Sequence, residues 1–185
     1  MEYKIIYALE RISRAFKYTL NLKSLNLGLS NLQAQILLFL YSREESLRNI
    51  SSISEEFQLS TATVSEAINT LKNKGLVKIE MGKDKRFRVI SLTEKGSKLI
   101  EELIKWDTKI VEALNELNYE ERMQLLIILM KLINSMYKRG LISLTRMCFT
   151  CAYFNFQKIY CNLLNIELKP EDLRIDCKEH SSLAR

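Results

Sequence analysis

A mainly helical chain carrying one small antiparallel hairpin, an α+β arrangement, is predicted from three observations. One proline and five glycines interrupt 185 residues, a composition that favours long helices over a loop-rich or all-β fold. Apolar residues recur at helical spacing through most of the first 140 positions. Only over residues 76–92 does the pattern change to the shorter period of strands.

The elements follow in order. Ile5, Leu9, Ile12, Phe16 and Leu20 mark one helical face from residue 3 to about 25, with Gly28 as the break. Ser30 or Asn31 caps a second helix over 32–41, whose Ile-Leu-Leu-Phe-Leu run is expected to be fully buried. Ser52 and Glu55 have capping-box spacing, which predicts a short helix starting there and ending near Phe57. Gln58, Leu59 and Ser60 make a tight turn, and a further helix runs from Ser60 or Thr61 to about Lys74, stopped by Gly75. Residues 76–80 and 87–92 read as strands joined by the polar loop 81–86, which contains Gly82 and Asp84. Thr93, three residues before Gly96, opens a long helix to about residue 117. Asn118 caps another over 119–139, ended by Gly140. Residues 47–95 therefore read as a winged helix-turn-helix. The predicted divisions are an N-terminal helix (1–29), the winged helix-turn-helix (30–96), two long helices (97–140) and a cysteine-rich extension (141–185). Apolar residues cover more than one face of the two long helices, which predicts burial against a second subunit.

Charge points to the same stretch. The formal net charge is +6, and residues 60–95 hold 8 basic and 4 acidic groups, so +4 of it lies in 36 residues. Such a patch either attracts a polyanion or is simply a lysine-rich solvated surface. Within helix 61–74, Val64, Ala67, Ile68 and Leu71 fall on one face. The other carries Thr61, Thr63, Ser65, Asn69, Thr70, Lys72 and Asn73, with Ser60 at its start and Glu66 as the only acid. Hydroxyls and amides reach base edges without repelling phosphate, the composition a DNA-reading helix requires. Lys83, Lys85, Arg86 and Arg88 lie at or beside the hairpin tip, where a basic β-ribbon suits phosphate or minor-groove contact. Asp84 is placed either to hold the Arg86 guanidinium or to serve only as a turn residue.

The run from Ser60 to Val77, followed by Asp84-Lys85-Arg86 and by Leu92-Thr93-Glu94-Lys95-Gly96, resembles the MarR family. The order of elements over about residues 1–140 is similar too. The resemblance implies a homodimer joined through the N-terminal helix and the two long helices. It further implies recognition helices in successive major grooves of a pseudo-palindromic operator in double-stranded DNA, with Arg86 in the minor groove. Gln58 departs from the pattern, since such turns commonly hold glycine there. Either its backbone is left-handed at some cost, or the turn differs.

The cysteines are confined to the end of the chain. Cys148, Cys151, Cys161 and Cys177 follow 147 residues without one, and the single histidine, His180, comes three after the last. Two pairs separated by two residues match the knuckles that grip a tetrahedral metal. A tail of this size needs such support to fold. The paired knuckles favour zinc, held by Cys148, Cys151, Cys177 and His180; an iron–sulfur cluster on all four cysteines is the alternative. Disulfides are a weaker account, because the expected compartment, the cytoplasm, is reducing. Phe149, Tyr153, Phe154, Phe156 and Tyr160 are expected to form the tail's own core, with a stacking surface as the rival reading.

The function these readings predict is a sequence-specific DNA-binding transcription regulator whose metal site is structural or senses metal or redox state. Catalysis is not expected, because one histidine excludes nearly all Ser-His and His-metal arrangements and no glycine-rich phosphate loop is present. No run of about 18 uncharged apolar residues occurs, so no membrane span is expected. The alternative is a protein-interaction module, whose reading helix would be acidic or apolar; a small-molecule effector stays open.

Overall fold

The computed structural model describes residues 1–82 and 88–182. The chain divides into two compact units, Met1–Ala113 and Leu114–Arg185.

In the first unit, helix α1 spans Glu2–Asn26, and Gly28 leaves it with φ of +68°. Helix α2, Asn31–Ser42, starts on a full capping box: the Ser30 hydroxyl accepts from the Gln33 amide while the Gln33 side chain accepts from the Ser30 amide. Ile36, Leu37, Phe39 and Leu40 of the apolar run are buried, but Leu38 stays half-buried, so the run is not buried throughout as expected: a helix turns one of any five successive residues away from the core. Helix α3, Ile50–Phe57, begins before the predicted Ser52 start. Asn49 accepts the Ser52 amide at 2.9 Å and wins the cap, so the Ser52–Glu55 pairing is not the helix start. Helix α4, Thr61–Asn73, is capped by Ser60, which accepts from the Thr63 amide.

Strands β1, Val77–Met81, and β2, Arg88–Leu92, form the antiparallel hairpin in the register Val77↔Leu92 to Met81↔Arg88. The Ile90 amide donates to the Arg48 carbonyl at 2.7 Å, tying the hairpin to the turn before α3. Thr93 then caps α5, Glu94–Leu103. The single long helix expected to residue 117 is instead interrupted by a 3-10 turn, Ile104–Asp107, before α6, Thr108–Asn115. Trp106 in that turn packs edge-on against Phe16 of α1, ring centres 5.9 Å apart. Val64, Ile68 and Leu71 from α4 meet Leu37 and Leu40 of α2, Ile53 of α3, Ile90 of β2 and Ile100 of α5 in one core. Burying each such side chain contributes about 1.5–3 kcal/mol, which makes this cluster the main support of the unit.

In the second unit, α7 spans Tyr119–Lys138 on an Asn118–Glu121 capping box, and Gly140 ends it at φ of +73°. The tail folds into three strands of two residues each, β3 (Phe154–Asn155), β4 (Tyr160–Cys161) and β5 (Ile166–Glu167), paired antiparallel in that order. Its core joins Met147, Cys148, Phe149, Cys151, Phe154, Leu168 and Leu173 to Met130 of α7. Leu126, Ile127 and Ile133 pack at the edge. The tail of the same chain thus covers part of the apolar face of α7.

Candidate nucleic-acid interface and cysteine module

Helix α4 owes its orientation to its own sequence. Val64, Ile68 and Leu71 are buried, while Thr61, Thr63, Asn69 and Lys72 on the other face are exposed and Ser65 is half-buried. Ser60 sits exposed at its first turn, its hydroxyl 2.8 Å from that of Thr63. The turn before α4 carries the predicted departure at Gln58, whose φ of 53° and ψ of 43° are left-handed. The Leu59 amide donates to the Ser54 carbonyl at 3.0 Å, closing α3 as a Schellman turn without glycine.

A cleft of about 370 Å³ lies beside this helix, lined by Asn49, Ser51, Ser65, Asn69, Arg88 and apolar residues between them. It brings together three of the predicted residues, Ser65, Asn69 and Arg88. It also adds two that the sequence reading missed, Asn49 and Ser51. Their signal was present: an asparagine three residues ahead of Ser52 is a strong cap, and it moves Ser51 to the start of α3. Lys83, Asp84, Lys85 and Arg86 lie outside the described residues.

Further contacts fix the helix against its neighbours. Lys74 at its end donates to the Gly28 carbonyl at 2.7 Å and to the Gln33 side chain at 2.9 Å. Leaving the hairpin, Thr93 donates its hydroxyl to the Gly75 carbonyl and its amide to the Leu76 carbonyl. A Cβ at Gly96 would stand 2.1 Å from that same Leu76 oxygen, so the Leu-Thr-x-x-Gly exit is a steric requirement.

In the tail each cysteine is held by its own backbone contacts. The Cys148 amide donates to the Arg174 carbonyl at 2.9 Å, and the Arg174 amide donates back to Cys148 Sγ at 3.3 Å. The Cys177 amide donates to the Arg146 carbonyl, Cys151 bridges Ser182, and Cys161 pairs with Phe154 across β3 and β4. All four thiols are free, with Cys148 and Cys151 buried. Burial pushes the Cys148 thiol up, the Arg174 amide opposes this, and Cys177, Cys151 and Cys161 raise it further by their charge. His180 donates its amide to the Cys177 carbonyl, and its Nε2 is 3.0 Å from the Thr150 hydroxyl. Burial pushes its pKa below the ordinary value; of its charged neighbours, Arg146 lowers it further and Asp176 raises it. Among the described residues, no three histidine, cysteine, aspartate or glutamate side chains already converge to hold a metal ion. Phe149, Phe154 and Phe156 pack on one another with ring centres 4.8–5.4 Å apart. Of the five aromatic residues expected in the tail's core only Phe149 and Phe154 lie there; Tyr153 and Phe156 are exposed and Tyr160 is half-buried. No helix among the described residues is long and apolar enough to cross a membrane.

Comparison with known proteins places this geometry. Residues 27–86 match the family model described as MarR family. MepR of Staphylococcus aureus in complex with DNA is 25% identical, with 73% of this chain and 98% of that one covered and a TM-score of 0.64. MepR in its DNA-binding conformation is 26% identical, covering 71% and 98%, with a TM-score of 0.63. A further MepR structure, of a transcription regulator of the multidrug efflux pump MepA, is 26% identical over 70% and 96%, with a TM-score of 0.56. No curated protein sequence matches. Mainly helical, with a small antiparallel sheet, the chain has a winged-helix fold similar to that of the MarR regulators, and its helix-turn-helix is the part that matches their family model.

Proposed function

We propose that this chain is a sequence-specific transcription regulator that binds double-stranded DNA as a homodimer. The observation that carries the reading is the exposed, acid-poor face of α4, where Thr61, Thr63, Asn69 and Lys72 project and Glu66 is the only acid. Thr61, Thr63, Ser65 and Asn69 read base edges in the major groove, while Ser60 and Lys72 contact phosphate. The wing residues Lys83, Lys85, Arg86 and Arg88 contact the backbone or the minor groove, with Asp84 steadying Arg86. The similarity to MepR, crystallised with DNA, supports the same reading.

The homodimer is supported by α1, whose Tyr3, Ile6, Tyr7 and Ile12 stay more than half exposed in the single chain. Apolar surface of that extent on one helix calls for a partner. The tail completes the proposal as a metal site that is either a static staple or a sensor acting on α7.

Binding of labelled DNA selected from a random pool, measured across salt concentrations, tests the reading. A steep fall in affinity with salt and discrimination against scrambled sequence are expected. Salt-independent or sequence-blind binding would overturn it.

A further inference from the structure

The metal reading of the tail leaves five candidate ligands, and the fold separates them. Each cysteine is fixed by a different piece of backbone, yet all four belong to one small module. Cys148 and Cys151 flank a 3-10 turn, Cys161 pairs with Phe154 beside it, and Cys177 is held to Arg146 just ahead of it. Cys148, Cys151 and Cys161 belong to the same apolar cluster. Cys148 Sγ accepts a hydrogen bond from the Arg174 amide at 3.3 Å, which joins the first knuckle to the segment leading to Cys177.

His180 is placed differently. Thr150 is buried between Cys148 and Cys151, and its hydroxyl donates its one hydrogen to the Met147 carbonyl at 3.0 Å. That hydroxyl also lies 3.0 Å from His180 Nε2, within hydrogen-bond distance of it. The His180 backbone amide donates to the Cys177 carbonyl at 3.3 Å, which ties this end of the chain to the last cysteine. The imidazole therefore clamps the chain end onto the knuckle formed by Cys148 and Cys151.

We infer that Cys148, Cys151, Cys161 and Cys177 form an all-thiolate site for a thiophilic metal centre, with His180 as a positioning residue bound to Thr150 rather than a ligand. The inference rests on the proposed metal reading and narrows its ligand set. On binding, the four thiols lose their protons to solvent and turn inward from a backbone frame that is already in place. Two centres share this chemistry, a single zinc ion and an iron–sulfur cluster.

The test uses the full chain purified without oxygen and reconstituted separately with zinc and with iron plus sulfide. Metal and sulfide are counted per chain, and X-ray absorption at the metal edge reads the first coordination shell. An all-sulfur shell is expected: four sulfurs at about 2.3 Å identify zinc, and iron with stoichiometric sulfide and a brown colour identifies the cluster. A nitrogen in the shell, or no retained metal from either reconstitution, overturns the assignment. Cys161→Ser is expected to lose more than nine-tenths of the metal, and His180→Gln to retain it with about a tenfold weaker affinity at most; the reverse result overturns the assignment too. Should Cys161→Ser fail to fold, the absorption spectrum of the unaltered chain decides alone. Salt-dependent DNA binding measured on the same preparations keeps a failure here distinct from a failure of the DNA reading.

Discussion

Gly96 and Gln58 are two positions where one residue sets the geometry of the winged helix-turn-helix. Gly96 opens α5 directly against the Leu76 carbonyl, and the atom in the way of any side chain is backbone, which cannot swing aside. Gly96→Ala should destabilise the chain by about 2–3 kcal/mol, seen as a fall in the midpoint of thermal unfolding by circular dichroism. A midpoint unchanged within a degree would show that the strand exit yields instead. Gln58 presents the opposite case, a side chain held in left-handed backbone at some cost. Gln58→Gly relieves that cost while adding freedom to the unfolded chain. A net gain of about 0.5 kcal/mol is expected, and chemical denaturation can read it. A loss would mean that the Gln58 side chain makes a contact worth more than the strain.

At the scale of an element, α4 divides its work by residue type. Asn69 is exposed beside the cleft and suited to pairing with a base edge, so Asn69→Ala should cost about 1–3 kcal/mol in affinity and relax sequence preference at one position. Lys72→Ala should weaken binding evenly across sequences and lower the slope of log affinity against log salt by about one. Competition binding over a panel of single-base variants separates these outcomes. If both substitutions behave alike, α4 does not lie in the groove as proposed. Helix α7 shows a different division. Met130 is fully buried in the tail's core, so one of its faces serves the cysteine module. Ile128, 60% exposed, is free to serve another surface.

For the whole molecule, the proposed dimer makes a direct prediction. The 21.7 kDa chain should sediment at twice that mass. Ile12→Glu on α1, at a site exposed in the single chain, should shift the mass towards the monomer without lowering helix content. A persistent dimer would move the interface away from α1. Because the tail packs on α7, removing the proposed metal is a second whole-molecule test. Changed operator affinity in a chain that stays folded would make the tail a sensor, and equal affinity would make it a staple.

What the sequence determined by itself was local. Helical periodicity, caps at Ser30, Ser60, Thr93 and Asn118, and glycine stops at 28, 75 and 140 set the order of elements and the winged-helix class. The polar face of α4 was legible too, because apolar residues three and four apart leave only one face to water. Tertiary structure decided what depends on competition and on distant partners. Asn49 took the cap from Ser52 because its oxygen reached the amide one turn earlier. A 3-10 turn replaced the middle of a predicted helix at residues 104–107, where Trp106 packs on Phe16, ninety positions away in the chain. His180 was placed among the candidate ligands by spacing, and the contact of its ring with Thr150, thirty residues earlier, came from the fold alone. Spacing along the chain names the groups able to meet, because it fixes only their separation in sequence; the hydrogen-bond partner that each one finds is set by the folded tail.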